Sequence, residues 1–336
     1  MANLREALYY KIIDTDKKVA QCELCPFLCV LEPGQAGNCG IRQNQDGKIY
    51  ALAYGQFASV NLDPIEKKPL YHFYPGSDIF SVGTAGCNFH CQFCQNWEIS
   101  QKKPSELPLR EISSDDIVRM AKQYNSIGVA YTYNEPLVNY EFVLECAEQA
   151  HKYGLKNVLV TNGYIQESPL LRLLPFIDAV NVDVKSFRDD FYKKMCGGRL
   201  APVLRTVETC ARKKIHLEIT NLIIPHLNDS QEELEDLTDW VYALGEETPL
   251  HFSRYLPCYK MTAEPTPLAT LHKARDIAIK KLKYVYIGNV FEEREAKTYC
   301  PHCQELLIIR QGYRTAVQAV KDSHCTKCGN KVNVIQ

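Results

Sequence analysis

Cys87-Asn88-Phe89-His90-Cys91-Gln92-Phe93-Cys94 spaces three cysteines as CxxxCxxC directly after a short apolar run, Ile79 to Gly83, that reads as a buried strand. Three thiolates on one tight loop can hold three irons of a cubane [4Fe-4S] cluster and leave the fourth iron without a protein ligand. An open iron is a place where a small molecule binds and reacts. Structural iron-sulfur and zinc sites are closed by four ligands, so the alternatives are a closed site completed by a remote residue, or cysteines that only pack a core. The spacing, with Phe93 just before the last cysteine, by itself leaves these alternatives open.

The bulk properties set the frame. A chain of 336 residues fits two domains or one large barrel with appendages. A formal net charge of -1 gives no basic field for nucleic acid or an anionic membrane. No apolar run has the length of a membrane span, and Met1 to Tyr10 carries Arg5 and Glu6 where a signal peptide needs an apolar core, so a cytoplasmic protein is expected. In that reducing compartment 15 cysteines read as metal ligands. Eleven of them form three groups: Cys22, Cys25, Cys29 and Cys39; Cys87, Cys91 and Cys94; Cys300, Cys303, Cys325 and Cys328. Cys146 and Cys210 lie in helical patterns and read as inert core, while Cys196 and Cys258 fall in loops and stay open.

From Ile79 to about Asn289 short apolar runs alternate with amphipathic stretches. The strands expected are Ile79 to Gly83, Gly128 to Tyr133, Asn157 to Thr161, Ala179 to Val184, His216 to Ile224 and Leu250 to Tyr255, with helices such as Ser114 to Tyr124 and Tyr140 to Tyr153 between them. Six strand-helix units in succession predict an α/β fold, a parallel sheet curved into a partial (β/α)6 TIM-like barrel. Active groups then belong at the carboxyl ends of the strands. Polar residues do cluster there: Thr132 to Pro136, Thr161 to Tyr164, Asn181 to Lys185, Glu218 with Thr220 and Asn221, and His251 to Tyr255.

Two modules flank the barrel, giving expected divisions of 1–75, 76–296 and 297–336. The leader offers four thiolates within eighteen residues, which suit zinc or a second iron-sulfur cluster. Its last segment, Asp63 to Phe73, reads as a solvated connector with one buried aromatic face. Packed across the barrel mouth, Lys67, Lys68 and His72 would become candidates for binding an anionic substrate. The tail holds two CxxC knuckles, Cys300/Cys303 and Cys325/Cys328, around an expected hairpin; this is a zinc-ribbon pattern, with a rubredoxin-like iron site as the alternative.

The CxxxCxxC loop resembles the signature of the radical S-adenosylmethionine (SAM) superfamily, in which the open iron chelates the amino and carboxylate groups of SAM. Asn134-Glu135-Pro136 is similar to the superfamily's GGE-type motif, with Tyr133 and Asn134 in place of the paired glycines. Thr161-Asn162-Gly163 and Asp183-Val184-Lys185 resemble strand motifs of pyruvate formate-lyase-activating enzymes. Across the leader knot, DPIEKKPLYHF, GCNFHCQFCQNWEIS, YTYNEP, TNGY, NVDVKSF and the tail ribbon, the chain resembles the AmmeMemoRadiSam-system radical SAM proteins.

The resemblance implies a [4Fe-4S] cluster on Cys87, Cys91 and Cys94, adenine held by the backbone around Phe93, the SAM ammonium held by Glu135 with contacts from Asn134, and ribose and carboxylate lined by Thr161, Asn162, Asp183 and Lys185. It also implies a reductant such as flavodoxin or ferredoxin, and Memo-type and Ammecr-type proteins as partners. Phe89, His90 and Trp97 either pack the loop or touch a ligand. Three functional readings follow: a radical SAM enzyme acting on a small polar substrate, an activating enzyme that installs a glycyl radical on a partner protein, and a non-catalytic iron-sulfur or zinc electron carrier or adaptor. Candidate substrate groups are His72, Asp183, Lys185, Glu218, Asn221, His251 and Arg254.

Overall fold

The computed structural model describes residues 4–290 and 296–336. Residues 1–3 and 291–295, the latter just ahead of the expected start of the tail module, lie outside the described residues.

Eight strands form the central sheet in sequential order: β1 (Ser59–Pro64), β2 (Asp78–Gly83), β3 (Gly128–Tyr131), β4 (Lys156–Thr161), β5 (Ala179–Asp183), β6 (His216–Ile223), β7 (Leu250–Arg254) and β8 (Val285–Gly288). The run from β2 to β8 is parallel, and β1 pairs antiparallel to β2 at the edge. All four residues of β3 are buried, as are most residues of β2 and β5, which is why these strands read as continuous apolar runs. Among the described residues, the longer helices, each of seven residues or more, cover the outside: α1 (Ser114–Gln123), α2 (Tyr140–Lys152), α3 (Glu167–Leu173), α4 (Leu200–Arg212), α5 (Gln231–Leu244) and α6 (Leu268–Ala278). Helix α1 buries Ser114, Ile117, Val118 and Ala121, one stripe at helical spacing, and starts where the Ser113 hydroxyl accepts the Asp116 amide at 3.1 Å.

Two strands go beyond the six expected. Strand β8 is four residues long and follows the lysine-rich stretch Lys280 to Lys283 beyond α6, too short to stand out as a period. Strand β1 lies inside the stretch expected to form the leader, yet it pairs with β2 from Ser59↔Gly83 to Pro64↔Asp78.

The segment after β1 is not a solvated connector. Ile65, Leu70 and Phe73 are buried against Ile79, Ala130, Val158 and Ala179 inside the barrel, and Asp63, Glu66, Lys68 and His72 are buried with them. The segment passes down the barrel to Phe73, whose ring lies 5.5 Å from that of His216 at the start of β6. There the tail closes over it: Phe73 bridges Ile335, and Arg310, 1 % exposed, donates to the Ala296 carbonyl, to Thr298 Oγ1 and to the Tyr71 carbonyl. The leader packs on α2, where buried Arg42 and Glu141 meet at 2.9 Å.

Candidate functional site

The loop after β2 is held by its neighbours rather than by regular structure. The Thr84 amide donates to Asn134 Oδ1 at 3.2 Å, and Asn134 Nδ2 donates to the Gly86 carbonyl at 2.6 Å. Backbone amides of His90 and Gln92 donate to the carbonyls of Cys196 and Met195, both at 2.9 Å. Gly86 is obligatory: its φ is +79°, and a Cβ would sit 2.5 Å from the Cys39 carbonyl oxygen. Phe89 is buried among Tyr164, Tyr192 and Gly198, so it packs the loop. His90 bonds Gln101 and Asn38, and Trp97 stacks on Tyr259 at 5.3 Å.

Cys87, Cys91 and Cys94 project from this loop into one cavity of about 390 Å³ at the carboxyl ends of the strands. Cys87 Sγ accepts from the Phe89 amide at 3.4 Å and from Asn162 Nδ2 at 3.8 Å, and Cys94 Sγ lies 3.1 Å from Ser100 Oγ. A hydrogen bond from the Cys196 thiol draws the Cys91 thiol down, and Cys258 donates to the Cys94 carbonyl at 3.4 Å. The two cysteines left open by the sequence therefore both abut this loop.

The same cavity is bordered by Phe93, Asn134, Glu135, Thr161, Asn162, Asp183 and Lys185. Glu135 accepts from the Leu137 amide at 3.0 Å, Thr161 Oγ1 at 2.8 Å and the Asn162 amide at 2.7 Å. Burial still pushes its carboxyl up to about 7. Lys185 pairs with Asp183 at 3.2 Å; burial disfavours its charge, but Asp183 and the Cys91 sulfur hold its pKa well above the usual lysine value. Tyr133 stands at φ +73°, the left-handed conformation a glycine would take, and its hydroxyl donates to Asp63. Burial raises the Asp63 carboxyl, yet hydrogen bonds from Lys68, Tyr133 and Lys67 outweigh it and bring it to about 2; burial draws Lys68 down to about 8. Lys67 and Lys68 do border the cavity, each already paired with Asp63 at 2.9 and 2.6 Å.

Other candidates stand elsewhere. Glu218, third residue of β6, accepts from His216, His251 and the amides of Tyr71 and His72 at 2.6–3.0 Å, at the amino end of the barrel. His72 donates to the Asn333 carbonyl and accepts from Tyr286, beneath the tail. Asn221 turns to the Val184 carbonyl and Arg254 to the Thr266 carbonyl. His72, Glu218, His251, Asn221 and Arg254 are thus corrected from substrate candidates to parts of the framework: position near a strand's polar stretch does not say which way a side chain points or which half of the strand it occupies. Missed by the sequence reading are Asn96, Ser100 and Ser253 along the cavity, and Tyr313, which the tail hairpin brings to its edge. Tyr313 carries no local signal, since only the fold brings residue 313 near residue 87.

Comparison with known proteins gives this arrangement a family. Residues 81–241 match the model of the Radical SAM superfamily. The chain belongs to the radical SAM superfamily. It is 45% identical over 337 residues to an uncharacterized protein of Methanocaldococcus jannaschii, covering 99% of this chain and 100% of that one. It is 22% identical over 224 residues to the pyruvate formate-lyase-activating enzyme of Staphylococcus epidermidis, covering 61% of this chain and 86% of that enzyme. A radical SAM methyltransferase structure from Sphaerobacter thermophilus shares the fold, with a TM-score of 0.51 at 16% identity over 64% of this chain and 67% of that chain.

The family implies a [4Fe-4S] cluster and SAM, and the donors present fit both: three thiols and a buried carboxylate border one open cavity. In the tail, Cys300, Cys303, Cys325 and Cys328 bring their sulfurs within 4.8 Å of one another, a set able to bind a metal. Among the described residues, no helix is long and apolar enough to cross a membrane.

Proposed function

We propose that this chain binds SAM against Cys87, Cys91 and Cys94 and cleaves it reductively to act on a small polar substrate. The observation that supports this reading is that three thiols from one loop, the Glu135 carboxylate and the Asp183–Lys185 pair border a single cavity. Bound there, a [4Fe-4S] cluster supplies the one electron that splits SAM into methionine and a 5'-deoxyadenosyl radical able to take hydrogen from a substrate. The protein binds, orients and excludes water. Cys87, Cys91 and Cys94 hold three irons, and the backbone at Phe93 meets adenine. Glu135 receives the ammonium of SAM, while Thr161, Asn162, Asp183 and Lys185 line its ribose and carboxylate. The Asn134 side chain bonds the Thr84 amide and the Gly86 carbonyl, so Asn134 steadies the loop that carries the three cysteines. A flavodoxin- or ferredoxin-type protein is the proposed reductant, Memo-type and Ammecr-type proteins the proposed partners, zinc the proposed tail metal and the cytoplasm the proposed location.

Asn181, Thr220 and Ser253 on the remaining wall support a polar substrate, and Tyr313 at the edge supports a small one. The relationship to a pyruvate formate-lyase-activating enzyme supports a second reading, a partner protein as hydrogen donor.

Glu135→Ala tests the site. It should weaken SAM binding by about 1.5–3 kcal/mol, roughly ten- to a hundredfold, the size of a hydrogen bond to a charged group, with iron content unchanged. Unaltered SAM affinity in a titration would remove Glu135 from the proposed site.

A further inference from the structure

The two outer cysteine sets are built to different dimensions. In the tail, Cys300 and Cys328 stand with sulfurs 3.7 Å apart, and Cys303 and Cys325 do the same. Tetrahedral ligation of one ion at about 2.3 Å per bond places sulfurs roughly 3.8 Å apart. Among the described residues the tail set is the only group of three or more metal-binding side chains whose ligand atoms lie within 4.8 Å of one another. Among the described residues, neither the sulfurs of Cys87, Cys91 and Cys94 nor any three of those of Cys22, Cys25, Cys29 and Cys39 all lie within 4.8 Å of one another. A cubane takes each thiolate on a different iron and so spreads its ligands by the width of the cluster.

The leader thiols also face a shared space. All four line one cavity, walled elsewhere by apolar groups including Leu24, Leu137 and Ile165. Arg42 lines it too and is 1 % exposed. Its Nη1 is held by Glu141 and its Nη2 by the Leu8 carbonyl, but its Nε has no hydrogen-bond partner among the described residues. A buried donor left unpaired costs about 1–3 kcal/mol, and a sulfide or thiolate acceptor inside the cavity would satisfy it. One amide already meets this sulfur set: Asn38 N donates to Cys29 Sγ at 3.4 Å.

We propose that Cys22, Cys25, Cys29 and Cys39 hold a second [4Fe-4S] cluster, one thiolate on each iron, instead of a zinc ion. Four protein ligands leave no open iron, so the site exchanges electrons and does not bind substrate. A low-potential one-electron carrier gives one electron, taking the cluster from 2+ to 1+ with no proton moved, and the carrier is oxidised by one electron. The position suits this task. Asn38, next to Cys39, donates from Nδ2 to the Asn88 carbonyl at 2.7 Å, and Asn88 is bonded to Cys87. The role, though not the identity of the second cluster, rests on the reading of Cys87, Cys91 and Cys94 given above.

The test uses the full chain reconstituted anaerobically with iron and sulfide. A Cys87→Ala/Cys91→Ala/Cys94→Ala variant, whose leader is untouched, should keep about four iron and about four sulfide per chain, with the Mössbauer doublet of a [4Fe-4S]2+ cluster. Finding no iron in that variant, with zinc at about two per chain, would overturn the proposal. Cys25→Ala/Cys29→Ala in the otherwise native chain should lower iron from about eight to about four per chain and leave a reduced cluster whose EPR signal shifts on adding SAM. Full iron retention by this folded variant, judged by circular dichroism and tail metal, would also overturn it. Failure of the SAM reading alone has a different signature: the iron of the triple variant stays in place, while SAM alters no signal in the native chain.

Discussion

The two ends of the barrel contain the same kinds of side chain and use them in opposite ways. At the amino end Glu218 is fully buried and accepts four hydrogen bonds, from two histidines and two backbone amides. Arg310 there spans the Tyr71 carbonyl, Thr298 and the Ala296 carbonyl, and lies 4.2 Å over the Tyr71 ring. At the carboxyl end Glu135 accepts three hydrogen bonds, from the Leu137 amide and from Thr161 and Asn162 at the end of β4, yet it borders an open cavity with three thiols and the Asp183–Lys185 pair. A buried ionisable residue therefore marks a functional site only when the framework leaves some of its bonding capacity free. Burial raises the Glu218 carboxyl, but the bonds from His216 and His251 more than reverse this and hold it well below the usual range. For Glu135 burial wins, and the carboxyl reaches about 7.

Breaking the saturated end should have the largest effect. Glu218→Ala orphans the Tyr71 and His72 amides and two imidazoles, and should cost about 3–5 kcal/mol in urea unfolding, the loss expected when one member of a buried charged network is removed, with SAM affinity of the folded fraction unchanged. A loss of SAM binding without a loss of stability would place Glu218 in the wrong region.

Acid sharpens the contrast, because the two ends respond to it for opposite reasons. Burial holds His72 down at about 3, so between that value and about 6.5 the unfolded chain binds the proton that the folded chain refuses. Stability from this group is fully present above about 6.5 and falls by up to about 1.4 kcal/mol per pH unit below it; thermal unfolding across that window measures it. Glu135 keeps its proton up to about 7 and must lose it to receive an ammonium. SAM affinity should accordingly fall up to about tenfold per pH unit below 7 and level off above it, and a flat profile between pH 6 and 8 would contradict the assigned role. The smallest effect belongs to Tyr313, 58 % exposed at the cavity edge. Tyr313→Ala should change stability by no more than about 0.5 kcal/mol and leave SAM binding intact, altering only the response to substrate.

The carboxyl end was largely legible in the sequence, because its residues sit in short motifs at strand ends: CxxxCxxC after β2, Asn134-Glu135 after β3, Asp183 and Lys185 at β5. The amino end was not. His72, Glu218 and His251 come from segments far apart in the chain, and their meeting depends on the passage of residues 65–73 through the barrel and on the tail closing beneath it. That passage was hidden because Glu66-Lys67-Lys68 has the composition of a surface, whereas two of its three charges are buried by partners, Asp63 for Lys68 and the Gly76 amide for Glu66. The short β8 was missed because four residues are too few to establish a period.

The proposed reductive cleavage of SAM belongs to the carboxyl end. The direct measurement is 5'-deoxyadenosine released by the reconstituted, dithionite-reduced chain with SAM under anaerobic conditions, beside the Cys87→Ala/Cys91→Ala/Cys94→Ala variant. Release by the native chain and none by the variant is expected; a native chain with full iron that neither binds SAM nor forms 5'-deoxyadenosine would contradict it.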